Sequence, residues 1–427
     1  MDDLYHLMNQ KHLFIDYSQS EIKDITKAVR VLLTRVISCF NARNDKYFIT
    51  GFVPGGSMVE RARIWENQAY PMIEFDFLVL LQYRYETQHV GYGCPGHLKI
   101  LNFQTNKGSD GRYQMREENL TPDDVVKDHY RTLLKILADA CKRCNGGHIC
   151  CVKKEAYMPC TCLKVETESG WLELVGLDNE SKGYLKPIVM KWNSKVKTLI
   201  KPDISKQIDI NETSPSEVTI MADFIPGFKF SRMKIPEVFG YNFPHFPKNI
   251  ENPDHFYLVP KHCSKNHSTC WRISYCATEV KSMVSTSQKH RDAYKMIKVF
   301  KNYALDNTIL STYCMKSVVL RHIDNCEHVD HLMEPCLIEM LEYTRTCFKQ
   351  KDLPHFVLGH NLLEGKVYFK NGKQEKIFLK KFKTLIRLLK TDKFASLLQD
   401  SAVKDNSAKI KSALLQIADL LTDHRKY

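Results

Sequence analysis

Gly55-Gly56-Ser57 and, one loop later, Glu74-Phe75-Asp76 at the head of the apolar run Phe77-Leu78-Val79-Leu80-Leu81 decide how this chain is read. Glycines permit the positive-φ turn that wraps an anion in backbone N–H groups, and two carboxylates two residues apart on a strand point from the same face. Like charges placed so closely repel unless a cation sits between them. Magnesium suits the position, because it takes oxygen ligands and bridges carboxylates to substrate phosphates; manganese can stand in for it. A pair of metal ions needs a third carboxylate from elsewhere. Asp223, in the β-rich run Val218-Thr219-Ile220-Met221-Ala222-Asp223-Phe224-Ile225-Pro226, supplies one.

Each piece also has a plainer reading. Gly-Gly-Ser occurs in ordinary turns, Glu-x-Asp suits the solvated face of an edge strand, and Asp223 fits a hydrogen-bonded structural acid before the Pro226-Gly227 turn. The order of the pieces argues for the site: a turn, an acidic pair on an apolar strand, then a single acid on a second apolar strand.

Working outward, a length of 427 residues allows about two or three domains, and 43% hydrophobic residues suffice for substantial cores. The start, Met1-Asp2-Asp3-Leu4-Tyr5-His6, lacks a basic and then apolar leader, and no apolar run approaches membrane-spanning length. A soluble, cytoplasmic chain is expected, with the nucleus as the alternative and no membrane partner. Fifteen cysteines without an export signal suit a reducing compartment. The formal charge of +13 suits an anionic partner beyond a substrate nucleotide, or a basic surface that only aids solubility.

Helical spacing from Ser18 to Phe40 (Ile22, Ile25, Val29, Leu32, Leu33, Val36, Ile37) predicts a long amphipathic helix capped by Ser18 or Ser20. The segment Met58 to Ile73, holding Arg61, Arg63 and Trp65, joins the glycine turn to the acidic pair and suits a switch. Pro122 to Cys144 reads as helix, Val152 to Thr167 as strand, and the lysine-rich, proline-marked stretch Ser181 to Glu217 as an insertion of uncertain order. From Trp271 onward helices dominate: Ala293 to Leu305, Leu310 to Asn325, Leu332 to Gln350 and Lys376 to Leu398.

Gly56-Ser57, Glu74-Phe75-Asp76 and Asp223 resemble, in order and flanking pattern, the signature of nucleotidyltransferase-fold proteins of the cyclic GMP-AMP synthase and Mab (male-abnormal) group. Downstream, Cys270-Trp271-Arg272-Ile273-Ser274-Tyr275 resembles the family's Trp-Arg-Leu-Ser-Phe segment. Leu310-Ser311-Thr312-Tyr313-Cys314-Met315-Lys316 resembles its Ser-Tyr-His-x-Lys helix, and Leu353-Pro354-His355-Phe356 through Asn361-Leu362-Leu363 its closing motif. The likeness runs from about Phe48 to Gly365. It implies an α+β, bilobed nucleotidyltransferase fold: a mixed-sheet core lobe with a spine helix over 1–235 and a helical lobe over 236–427.

A cleft between lobes needs cations for polyphosphate and flat groups for bases. Arg272, Lys298 and Tyr313 meet those needs; core packing for Tyr313 and a solvated helix face for Lys298 are the plainer readings. By resemblance, Gly56 and Ser57 grip the triphosphate, Glu74, Asp76 and Asp223 hold two magnesium ions, Arg272 and Ser274 contact a nucleobase edge, Lys298 a phosphate, and Tyr313 stacks on a base. The implied activity joins two nucleoside triphosphates, ATP and/or GTP, into a cyclic dinucleotide that acts on a STING-type receptor in innate immune signalling. Cys276 replaces a second serine of the vertebrate enzymes and is a poor hydrogen-bond partner, so the resemblance leaves base choice open.

The vertebrate zinc insertion is replaced here by the direct connection Val284-Ser285-Thr286-Ser287-Gln288-Lys289-His290, which makes double-stranded RNA the expected activator ahead of DNA. Two clusters carry zinc-type ligands: His262, Cys263, His267 and Cys270; and Cys141, Cys144, His148, Cys150, Cys151, Cys160 and Cys162. Neither spacing repeats a known finger, so buried thiols are the expected reading. Lys376, Lys380, Lys383, Arg387 and Lys390 form a helical cationic stripe that suits a duplex backbone, with Phe378, Leu379, Phe382, Leu385 and Ile386 facing inward. The rival reading is a Mab-family scaffold or nucleotide-regulated interaction protein that keeps the fold without catalysis.

Overall fold

Helix α1 (Ser20–Arg43) opens the regular structure of a computed structural model that describes residues 14–64, 72–84, 87–94, 96–107, 113–144, 164–178, 186–199, 201–203, 211–213, 216–231, 254–261, 263, 267–303, 305, 309–327, 332–364, 369 and 371–391. The helix buries Ile22, Ile25, Val29, Leu32, Leu33 and Val36 at the expected three-to-four spacing. Its cap differs from expectation. Gln19 takes the N-cap position without a side-chain bond, because Asp16 holds Ser18 through both its amide and its hydroxyl. The first turn is anchored instead by buried Glu21, which accepts from Trp192 Nε1 at 2.7 Å and from Thr198 N, Thr198 Oγ1 and Leu199 N. A buried carboxylate is tolerable only with such a full set of donors.

Then come β1 (Tyr47–Gly55), the short α2 (Gly56–Val59), β2 (Met72–Tyr83), β3 (Thr87–Tyr92), β4 (His97–Lys107), β5 (Tyr113–Leu120), α3 (Pro122–Cys144), β6 (Lys164–Glu166), β7 (Gly170–Leu177) and β8 (Ile188–Ser194). They continue as β9 (Lys201–Asp203), β10 (Asn211–Thr213), β11 (Glu217–Ser231), β12 (His255–Val259) and β13 (Cys270–Ser274). Every later element described is a helix: α4 (Cys276–Ser285), α5 (Gln288–Tyr303), α6 (Thr312–Asn325), α7 (Glu334–Gln350) and α8 (Gly372–Leu389). The protein is α+β. Among the described residues, no helix is long and apolar enough to cross a membrane.

Strand β11 organises the main sheet, whose order is β3-β4-β13-β12-β11-β8-β7-β6, with the β1–β2 hairpin joined to β11 and β5 to β4. Along one edge β11 runs parallel to β2 from Thr219 to Phe228. Along the other it pairs antiparallel with β8 as far as Ala222 and with β12 from Phe228 onward. Pro226, which has no N–H to give, sits in the interval between those two pairings, where a missing donor costs least.

The stretch read as an insertion contributes a strand that pairs with β11. Ile188, Met190 and Trp192 alternate as buried residues on β8, a period-two signal that the flanking prolines obscured. Helices α5 to α8 add Ile297, Val319, Leu341 and Phe382 to the same contiguous core as α1 and the sheet. On α8 the lysine stripe is exposed apart from half-buried Lys380, while Phe378, Phe382, Leu385 and Ile386 are buried and Leu379 is half-buried. Residues 65–71 of the expected switch, His262, and most of the second cysteine cluster lie outside the described residues.

Candidate active site

The burial alternation of β2 puts Ile73, Phe75 and Phe77 into the core and turns Glu74 and Asp76 to the other face. On β11 the same alternation buries Ala222 and Phe224 and turns Asp223 outward. The parallel register then aligns Asp223 with Asp76 and Met221 with Glu74. Carboxylate oxygens of Glu74, Asp76 and Asp223 consequently lie within 4.8 Å of one another. Oxygens on one octahedral magnesium are about 3 to 4.2 Å apart, so these acids need only a slight closure to share a cation. An all-oxygen donor set on rigid strands fits a hard divalent ion.

The turn before β2 meets this trio directly. Gly55 pairs with Asp76, and Gly56 adopts φ +70°, where a Cβ would stand 1.6 Å from Asp76 Oδ2. No other residue fits there. Ser57, next in line, has its carbonyl held by Tyr17 Oη and Ala62 N.

Crowding leaves its mark on the acids. Burial first, and then the charge of Glu74, pushes Asp76 up to about 6. Burial, followed by the charges of Asp76 and Glu74, pushes Asp223 up to about 7. Arg63 reaches the trio, and its Nη1 donates to Glu74 Oε2 at 2.9 Å.

The opposite wall is built by α4 and α6. Tyr313 and Lys316, one helical turn apart, meet Glu279 of α4 and Glu60, which follows α2. Lys316 Nζ lies 2.9 Å from Glu60 Oε1 and 2.8 Å from Glu279 Oε2. Tyr313 Oη donates to Glu279 Oε1 at 3.0 Å. Beyond it His355 Nδ1 accepts from the amides of Val357 and Leu358, which fixes the ring proton on Nε2 and lets Nε2 donate to Tyr313 Oη at 2.7 Å. Burial holds His355 down to about 4, so the ring stays neutral. Burial disfavours the Glu279 charge, but the charge and hydrogen bond of Lys316, with the Tyr313 hydroxyl, outweigh it and hold this carboxyl low. Burial likewise opposes the Lys316 charge, and the two glutamates overcome it and raise the ammonium well above its ordinary value.

Two cavities open between these walls. One of about 290 Å³ is lined by Ser57, Arg63, Glu74, Lys298, Lys301 and Thr312. The other, of about 320 Å³, is lined by Val53, Leu78, Val259, Arg272, Ser274 and Glu279. Gly56, Asp76, Tyr313 and Lys316 border both, so Asp76 stands at their divide, with Glu74 on the wall of the first. Each lies near the lower end of the usual size for small-molecule sites.

Arg272 and Ser274, neighbours on one face of β13, line the second cavity, and the Arg272 guanidinium lies 5.3 Å from the Tyr313 ring centre. Lys298 borders the first cavity, but it is buried and its Nζ donates to Ala62 O at 2.9 Å. Glu60, Glu279, Lys316 and His355 were not singled out as site residues from sequence. The i,i+3 spacing of Tyr313 and Lys316 is the local signal that could have drawn Lys316 in.

No protein-family model matches this chain, and no curated protein matches it.

Proposed function

We propose that the chain is a metal-dependent nucleotidyltransferase that joins two nucleoside triphosphates, of the cyclic GMP-AMP synthase-like receptor type suggested by its motifs. The observation that carries this reading is the convergence of Glu74, Asp76 and Asp223 beside a Gly56 turn that no side chain can fill, with Asp76 at the divide of two cavities. The sheet with α1 would be one lobe, the helices after position 276 the other, and the cavities the cleft. Two divalent ions bound there would offset charge on the triphosphate and activate the attacking oxygen.

In this reading Gly56 and Ser57 hold the donor triphosphate through N–H groups and the serine hydroxyl. Asp223, poised near neutrality, accepts the proton of the attacking ribose hydroxyl, and pyrophosphate leaves. Arg272 and Ser274 face one base edge, and the Tyr313 ring offers the second base a stacking surface. Lys298, whose ammonium carries three N–H donors, would meet a phosphate from the cavity edge while it holds Ala62 O. The exposed α8 stripe suits a duplex backbone bound irrespective of sequence. A STING-type receptor would receive the product.

One observation favours a nucleotide-binding interaction protein instead: Arg63 already engages Glu74. A bound guanidinium can neutralise one member of the trio without metal. Incubation of the purified chain with magnesium, the four ribonucleoside triphosphates and duplex RNA or DNA, followed by chromatography, separates the two readings. A cyclic dinucleotide is expected; its absence with every activator transfers the assignment to the interaction protein.

A further inference from the structure

Two loops far apart in sequence bring four soft ligands together at one end of β13. Cys94 lies in the turn between β3 and β4, Cys263 and His267 precede β13, and Cys270 is its first residue. Their ligand atoms all fall within 4.8 Å of one another. Cys94 Sγ is 3.8 Å from Cys270 Sγ and 3.1 Å from His267 Nδ1, while Cys270 Sγ is 3.9 Å from that nitrogen.

These separations have a definite meaning. Tetrahedral zinc, with Zn–S of about 2.3 Å and Zn–N of about 2.0 Å, sets sulfurs about 3.8 Å apart and sulfur and nitrogen about 3.6 Å apart. The sulfur pair agrees, and the two sulfur–nitrogen distances bracket the ideal. A disulfide needs sulfurs at about 2.05 Å, so the Cys94–Cys270 contact is not one. Around the cluster, His267 N lies 3.4 Å from Cys263 Sγ, the backbone-to-sulfur contact that orients a thiolate ligand. Gly96, at φ +73°, lets the chain turn sharply two residues after Cys94.

We propose that Cys94, Cys263, His267 and Cys270 hold one zinc ion in a closed Cys₃His site. Three thiolates and an imidazole select zinc over magnesium or calcium, and a complete four-ligand set leaves no position for substrate, which makes the ion structural. It ties the β3–β4 turn to the start of β13. Ile273 N donates to Gly96 O at 2.9 Å inside this clip, and Arg272 and Ser274, on the cavity wall, follow Cys270 by two and four residues. The sequence hid the site because Cys94 is remote from the other three ligands; His262, their neighbour in sequence, lies outside the described residues.

Full-length protein purified without chelator, assayed for zinc by mass spectrometry, tests the assignment. Cys94→Ser combined with Cys270→Ser is expected to lose one zinc equivalent per chain relative to the unsubstituted protein. His267→Cys is expected to keep it. His267→Ala, altered only at an exposed position, should release it to a chromophoric chelator under conditions that leave the unsubstituted chain loaded; this variant decides the matter if the double substitution does not fold. Unchanged zinc content in the double variant would place any metal elsewhere, the His290, His322, Cys326 and Cys336 cluster being the other thiol–imidazole group among the described residues, and overturn the proposal. Unchanged chelator release from His267→Ala, or an unsubstituted chain that purifies without zinc and takes up none, does so as well.

Discussion

The two walls of the cleft each gather charge, and they handle it in opposite ways. On the sheet, three carboxylates crowd together, and two of them are driven upward toward neutral pH. On the helical wall, Lys316 sits between two buried glutamates, and Tyr313 and His355 complete the hydrogen bonding. The second cluster is settled within the protein; in the first, Arg63 pairs with Glu74 while Asp76 and Asp223 crowd each other. Unrelieved repulsion between side chains on rigid strands marks a ligand site better than a fully paired network does, because the network already accounts for itself as structure.

The sharpest way to break this contrast is to remove the acids. Glu74→Ala with Asp76→Ala is expected to lower dinucleotide synthesis at least about 10³-fold, as loss of a group that stabilises charge in the transition state does, with duplex binding unchanged in a filter assay. Retained turnover would mean that the metals sit elsewhere. The helical wall should respond through stability instead. Lys316→Met leaves Glu60 and Glu279 buried without their shared cation and should cost about 3–5 kcal/mol in urea unfolding. A loss below about 1 kcal/mol would show that the network is not settled in the way described.

The pH dependence sharpens the same comparison. Asp76 and Asp223 have folded values above those of the unfolded chain, so ionising them opposes folding. Their contribution to stability is present below about pH 4 and is lost as pH rises toward about 6 and 7. The metal-free melting temperature should therefore fall across that window, and magnesium should restore it more at pH 8 than at pH 5.5. Substituting Asp223→Asn should flatten the decline. The smallest expected effect is that of Tyr313→Phe, which removes one hydroxyl between Glu279 and His355 and should cost about 1–2 kcal/mol of stability.

What could be read from sequence follows the range of the interactions involved. The face shared by Glu74 and Asp76, the periodicity of α1 and the helices beyond Cys276 are set by neighbours in the chain, and the structure places them as the local patterns predict. Asp223 was legible as a lone acid on an apolar strand, but its alignment with Asp76 is a product of parallel register. Partners drawn from distant segments escaped notice: Glu60 with Lys316, Tyr313 with His355, Cys94 with Cys270. Strand β8 escaped for another reason, since its alternating burial is short and begins directly after Pro187.

Calorimetric titration of manganese into the purified protein at pH 7, with a non-hydrolysable nucleoside triphosphate present, is the most direct test of whether the three carboxylates form a cation site. Saturable binding that releases protons to the buffer, and that disappears in Asp223→Asn, is the predicted result. No binding at millimolar manganese, or binding unaltered by that substitution, would contradict it.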